Sequence, residues 1–152
     1  FEGFPRGAVA LATPASLDWL QPQWRKDEPA RWQFPAEFPE VPILHCYAGQ
    51  TGDSVRRLVE AGAEGIVLAG LGDGNAPDSV REALTDAAQQ GIVVVRATRA
   101  NEGLVDREPE DDANGFVAAR ALGPAKARIL LQVLIANGVT DPARVQEAFG
   151  RR

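Results

Sequence analysis

Apolar residues in this chain come in short blocks, each closed by glycine or proline. The clearest block is residues 66–69, Ile-Val-Leu-Ala, followed by Gly70, Gly72 and Gly74 interleaved with Asp73 and Asn75, and then by Pro77-Asp78. That pattern predicts a buried strand, a tight turn rich in backbone amides, and a helix start. Residues 92–95, Ile-Val-Val-Val, are β-branched throughout, as in a strand buried on both faces. Residues 41–47 and 7–12 read as two further strands. Thr13-Pro14 ends the strand over residues 7–12, and residues 16–20 predict a brief turn of helix.

Between the strands the unbroken apolar runs give way to helical spacing. Val55, Leu58 and Val59 share one face of a helix that Thr51 or Asp53 caps and Gly62 ends. Pro77 suits the first turn of the next helix, whose stripe runs Val80, Ala83, Leu84, Ala87, Ala88 down to Gly91. Strand–helix alternation of this kind builds right-handed βαβ crossovers and a parallel sheet. Residues 98–114 are polar and irregular. A strong helix follows from Gly123-Pro124, with Ala127, Leu130, Leu131, Leu134 and Ile135 apolar and Gly138 as its stop. Asp141-Pro142 opens a last short helix with Val145 and Phe149 inward. The expected fold is α/β: a three-layer, Rossmann-like (flavodoxin-like) domain with a parallel sheet of about four strands. Residues 1–152 make one domain, with 43–152 as its core.

Residues 21–42 stand apart. Pro22, Pro29, Pro35, Pro39 and Pro42 forbid a regular helix, because proline lacks the amide donor and clashes with the preceding turn. Trp24, Trp32, Phe34 and Phe38 bring enough aromatic surface that packing on the domain itself is expected.

Charge and composition narrow the function. The net charge of -5 argues against a phosphate-tracking nucleic-acid binder, and no apolar run approaches the roughly 20 residues of a membrane span. One cysteine, Cys46, allows no internal disulfide. One histidine and no CxxC make a transition-metal site unexpected. No cofactor is expected either. The opening Phe-Glu-Gly-Phe has neither Met nor a signal peptide, and reads as the middle of a longer protein. The compartment stays open, with the cytoplasm as the default.

The glycine turn is the main candidate for chemistry. Its glycines suit positive φ, and amides at a helix start favour anions. It is neither a dinucleotide fingerprint nor a P-loop. Asp73 and Asn75 either contact a ligand or simply brace the turn. The acidic run at residues 108–112 (Glu-Pro-Glu-Asp-Asp) either meets a ligand's amine or is a solvated loop. His45, within a strand, reads as a core or rim histidine, and Cys46 as a small buried hydrophobe. No nucleophile elbow is present.

Several motifs, in order, resemble the C-terminal domain of bacterial-type L-asparaginases and glutaminase-asparaginases. Residues 64–77 (Glu-Gly-Ile-Val-Leu-Ala-Gly-Leu-Gly-Asp-Gly-Asn-Ala-Pro) resemble its glycine turn. Residues 91–99 resemble the strand that follows. Residues 111–116 (Asp-Asp-Ala-Asn-Gly-Phe) resemble its Asp-Asp-Ala-x-Tyr-Gly-Phe, one residue shorter. Residues 122–131 (Leu-Gly-Pro-Ala-Lys-Ala-Arg-Ile-Leu-Leu) resemble its Leu-x-Pro-x-Lys-Ala-Arg helix, and Thr140-Asp-Pro142 fits the last helix start. The likeness is specific from about Ile43 onward.

The resemblance implies a two-domain protomer whose N-terminal domain, absent here, holds the nucleophilic threonine. It implies hydrolysis of L-asparagine to L-aspartate and ammonia by an acyl-threonine route, with L-glutamine as a second substrate class. It also implies a homo-oligomer (a dimer or tetramer), in which this domain lends residues to a neighbouring subunit's site. Carried over by position, Asn75 matches the turn asparagine that helps hold the substrate, and Asp73 stands where asparagine is common. The family's substrate-binding glutamate matches Glu108 or Glu110, Glu108 being preferred. No catalytic residue is assigned to this chain. A free-standing amino-acid-binding module and a structural dimerisation domain with a vestigial site are the alternatives.

Overall fold

The computed structural model describes residues 32–100 and 103–150, and before them the backbone of four short strands: β1 (Glu2–Gly3), β2 (Gly7–Ala8), β3 (Ala10–Ala12) and β4 (Leu17–Trp19). These form two antiparallel pairs, β1 with β2 and β3 with β4. The helical turn expected over residues 16–20 is therefore replaced at Leu17–Trp19 by a strand. Its register against Ala10–Ala12 satisfies backbone groups that a single isolated helical turn leaves open.

The body is a four-stranded parallel sheet in the order β5 (Ile43–His45), β6 (Gly65–Gly70), β7 (Val93–Thr98), β8 (Phe116–Ala118). Helices α1 (Asp53–Glu60) and α2 (Asp78–Gln89) connect the first three strands. The short α3 (Pro109–Asn114) precedes β8, and α4 (Pro124–Ala136) and α5 (Pro142–Gly150) complete the chain. Side chains alternate across the strands with period two. Ile66, Leu68 and Val94 pack with Val55, Val80 and Leu84 of α1 and α2. Val67, Val93 and Val95 pack with Leu131 and Leu134 of α4 and Val145 and Phe149 of α5. The three-layer α/β expectation holds.

The differences are local. The strand expected over residues 41–47 is confined to β5. Val41 lies in the core and Pro42 still accepts the Val67 N–H through its carbonyl, but it has no amide of its own to donate. Neither Thr51 nor Asp53 caps α1. Gly52 is the N-cap, and no side chain makes a capping hydrogen bond there. Pro77 is the residue before α2 rather than its first turn. The irregular stretch over residues 98–114 ends in α3, which a proline at its first turn and three carboxylates beside its positive end favour. The segment that was to bury its aromatics does not: Phe34 is 76% exposed, and it meets the exposed Phe38 edge-on with ring centroids 5.2 Å apart. Trp32 is exposed as well, and Trp24 lies outside the described residues. Polar bonds hold this segment instead. Arg128 Nε donates to the Val41 carbonyl, Gln132 to Pro39, and Asn137 to Gln33.

Candidate functional site

The candidate residues gather at the carboxyl ends of β6 and β7. β6 ends at Gly70, and the chain reverses through residues 71–75. The Leu71 N–H donates to the Asn75 carbonyl at 2.8 Å, and the Asn75 N–H to the Leu71 carbonyl at 2.7 Å. Gly72 and Gly74 adopt φ of +52° and +76°, which L side chains disfavour. Gly70 answers to a different demand. A Cβ there would lie 2.6 Å from the Gly74 carbonyl oxygen and 2.7 Å from the Gly74 Cα, so the tight turn needs hydrogen at that position.

Asp73 and Asn75, two residues apart, point to different work. The Asp73 Oδ1 accepts the Asp106 N–H at 3.0 Å, tying the turn to the loop after β7. The Asn75 side chain is exposed and makes no hydrogen bond among the described residues. It lines a small cavity with Gly74, Arg96, Glu108 and Glu110. The enclosed space is about 20 Å³, room for about one water molecule. A pocket that encloses a small ligand needs roughly 300 Å³ or more. This cavity is therefore too small to enclose an amino acid by itself.

Arg96 lines the same cavity and makes most of its polar contacts. It emerges from β7 and is buried. Its Nε donates to Asp111 Oδ1 at 2.5 Å and one terminal nitrogen to Asp111 Oδ2 at 2.8 Å, a bidentate pair. The same nitrogen donates to the Asp106 carbonyl at 3.0 Å, and the other to the Asp73 carbonyl at 2.9 Å. Burial by itself would lower the affinity of the guanidinium for its proton. The hydrogen bond and charge of Asp111, then the charges of Glu108 and Asp73, outweigh that and hold its pKa above the ordinary value. Asp111 is also buried, and its Oδ2 accepts the Glu108 N–H at 2.9 Å, closing the first turn of α3.

Glu108 and Glu110 sit differently on that turn. Glu108 is half-buried, with its carboxylate 3.8 Å from Arg96. Glu110 is exposed and faces Arg81 of α2 at 3.5 Å. Behind them Arg120, at φ +57°, pairs with Asp106 Oδ1 at 2.7 Å, so two arginines grip the loop. The structure thus brings Asn75, Glu108 and Glu110 to one cavity, while the Asp73 carboxylate braces it from behind. Arg96, Asp111 and Arg81 are contributors that sequence reasoning did not single out. The signal for the first was an arginine in line with four β-branched residues: a charge in a strand buried on both faces needs a buried carboxylate.

His45 is exposed at the end of β5, and Cys46 is buried. Burial pushes the Cys46 thiol pKa up, against smaller opposing effects from the Tyr47 backbone and the Arg99 charge. Among the described residues no group of His, Cys, Asp and Glu could hold a metal ion, and no helix is long and apolar enough to cross a membrane.

Residues 40–149 match the model of the glutaminase/asparaginase C-terminal domain. The chain is 42% identical over 117 residues to L-asparaginase 2 of Escherichia coli K12, covering 76% of this chain and 33% of that protein. It is 34% identical over 114 residues to the glutaminase-asparaginase of Pseudomonas fluorescens, covering 73% and 31%. The crystal structure of a probable cytoplasmic L-asparaginase from Campylobacter jejuni superposes with a TM-score of 0.70 at 34% identity, covering 74% of this chain and 35% of that one. The chain thus spans about a third of the length of these relatives. With the family match running over residues 40–149 and an α/β fold shared with a solved L-asparaginase, the chain belongs to the glutaminase/asparaginase C-terminal domain family.

Proposed function

We propose that this domain is the C-terminal part of an L-asparaginase, that it lends substrate contacts to the active site of a neighbouring subunit in a homo-oligomer, and that it releases no ammonia alone. The observation that carries this reading is the Asn75 side chain, exposed and unbonded among the described residues, on a turn locked by reciprocal backbone bonds. A side chain held this firmly with its amide unspent is prepared for a contact from outside. Glu108 beside it carries the negative charge that an amino acid's ammonium group seeks. Asp73 and Glu110 complete the set, the first as brace and the second at the rim. The substrate is L-asparagine, with L-glutamine as the alternative and L-aspartate as product.

The chemistry itself needs an activated hydroxyl and a site for the developing oxyanion. Among the described residues no hydroxyl is hydrogen-bonded to a histidine or lysine. Ser54, for instance, donates to the Thr51 carbonyl, and Thr85 to the Arg81 carbonyl. The nucleophile is therefore assigned to the N-terminal domain that such enzymes carry.

The test is ammonia release. The purified 152-residue chain should release none from asparagine, and calorimetry should show no binding. In the full protein that carries the domain, Asn75→Ala should lower kcat/KM by roughly 10-fold or more. Asparagine binding to the isolated chain would favour a free-standing binding module. Unchanged turnover in the Asn75→Ala protein would favour a vestigial, structural domain.

A further inference from the structure

Asn75 and Glu108 lie on separate segments, one on the turn after β6 and the other at the head of α3. We propose that Arg96 is a positioning residue that fixes these two segments at one separation, so that a single substrate meets both side chains. The proposal rests on the half-site reading above.

Three observations carry it. First, Arg96 holds both segments and the loop between them: the Asp73 carbonyl in the turn at 2.9 Å, the Asp106 carbonyl in the loop at 3.0 Å, and both oxygens of Asp111 in α3. Second, its backbone is anchored. Arg96 pairs with Leu68 on one side and Ala118 on the other, in the middle of the sheet. Third, Asp111 passes the constraint on, because the same carboxylate accepts the Glu108 N–H. The planar fork of a guanidinium reaches acceptors on two sides at fixed angles, which the compact ammonium of lysine does not. Charge neutralisation and spacing are therefore separable. Arg96→Lys keeps the cation beside Asp111 and loses the simultaneous hold on turn and helix.

The experiment is a double-variant cycle in the full protein, with steady-state kinetics on asparagine for the parent, Asn75→Ala, Arg96→Lys and the two combined. Arg96→Lys should raise KM by roughly 10-fold and change kcat by less than about 3-fold, as expected for lost binding contacts. In the Asn75→Ala background the same change should add less than about 3-fold, because residues acting through one another do not add. Full additivity would overturn the proposal, as a structural role independent of Asn75 predicts it. An effect of Asn75→Ala without any of Arg96→Lys would leave the half-site standing and remove the positioning role. A silent Asn75→Ala would remove both. If Arg96→Lys does not fold, Arg96→Met/Asp111→Asn replaces the ion pair with neutral groups and keeps an acceptor for the Glu108 N–H. An unchanged KM in that variant would equally overturn the assignment.

Discussion

Replacing Asp111 by alanine isolates what the buried pair does for the fold. Asp111 is 2% exposed, and Arg96 beneath it 6%. Removing the carboxylate takes away both oxygens of a bidentate contact, at 2.5 and 2.8 Å, and the acceptor of the Glu108 N–H. Breaking a buried ion pair by deleting one partner costs about 3–5 kcal/mol, because the remaining charge stays buried. The lost helix-start contact adds about 1 kcal/mol. Two terms pull the other way. The Asp73 and Asp106 carbonyls remain as acceptors, and the half-exposed Glu108 carboxylate, 3.8 Å away, is free to move closer. The expected net loss is therefore at the lower end, about 3 kcal/mol. At about 2–4 °C per kcal/mol for a domain of this size, Tm falls by about 6–12 °C. Urea unfolding of the 152-residue chain, followed by circular dichroism, measures it as a lower midpoint at unchanged slope. Asp111→Asn, which keeps an acceptor for Glu108, should lose less than alanine. The loss should also persist at high salt, since a buried pair is little screened. A loss below about 1 kcal/mol for Asp111→Ala, or one that vanishes in salt, would refute the view of Arg96 as a dry, carboxylate-dependent hub.

Two further outcomes follow from single positions. Gly70→Ala places a methyl 2.6–2.7 Å from backbone atoms of Gly74. The neighbour cannot swing aside, so the cost is about 1–3 kcal/mol in urea unfolding, and the turn bearing Asn75 must shift; an unchanged midpoint would contradict the geometry. Cys46 should be nearly inert to thiol reagents in the native state. Burial raises its pKa, so at pH 8 less of it is thiolate than in a free thiol. Labelling should become fast only in denaturant, and native labelling at the free-thiol rate would show that the site opens.

What could be read from the sequence, and what could not, divides along a physical line. Strands β6 and β7 were legible because both faces are buried, which demands unbroken apolar runs. α2, α4 and α5 were legible because one buried face imposes a helical period. β8 was not. Phe116, Val117 and Ala118 are too few to declare a period, and they become a strand only through their register with Val94, Val95 and Arg96. α3 was hidden for the opposite reason. Half of its residues are charged and only Ala113 and Pro109 are apolar, so hydrophobic periodicity is silent, and its one buried polar residue, Asp111, is buried because Arg96 lies under it.

The site follows the same rule one level up. Local spacing located the glycine turn, since positive φ and close approach leave glycine as the readable mark. It could not divide the labour between Asp73 and Asn75. That division depends on Asp106, 33 positions after Asp73, whose N–H occupies the aspartate carboxylate, while the Asn75 side chain bonds none of the described residues. Arg96 was in plain sight as the polar member of an apolar strand. Its partners lie 15 positions ahead in α3, 10 ahead in the loop and 23 behind in the turn, beyond any window that periodicity scans. A buried guanidinium cannot stand alone, and a strand with both faces covered offers it no water. The acidic segment after β7 was therefore required to fold back over its own strand. That return is what sets Glu108 beside Asn75.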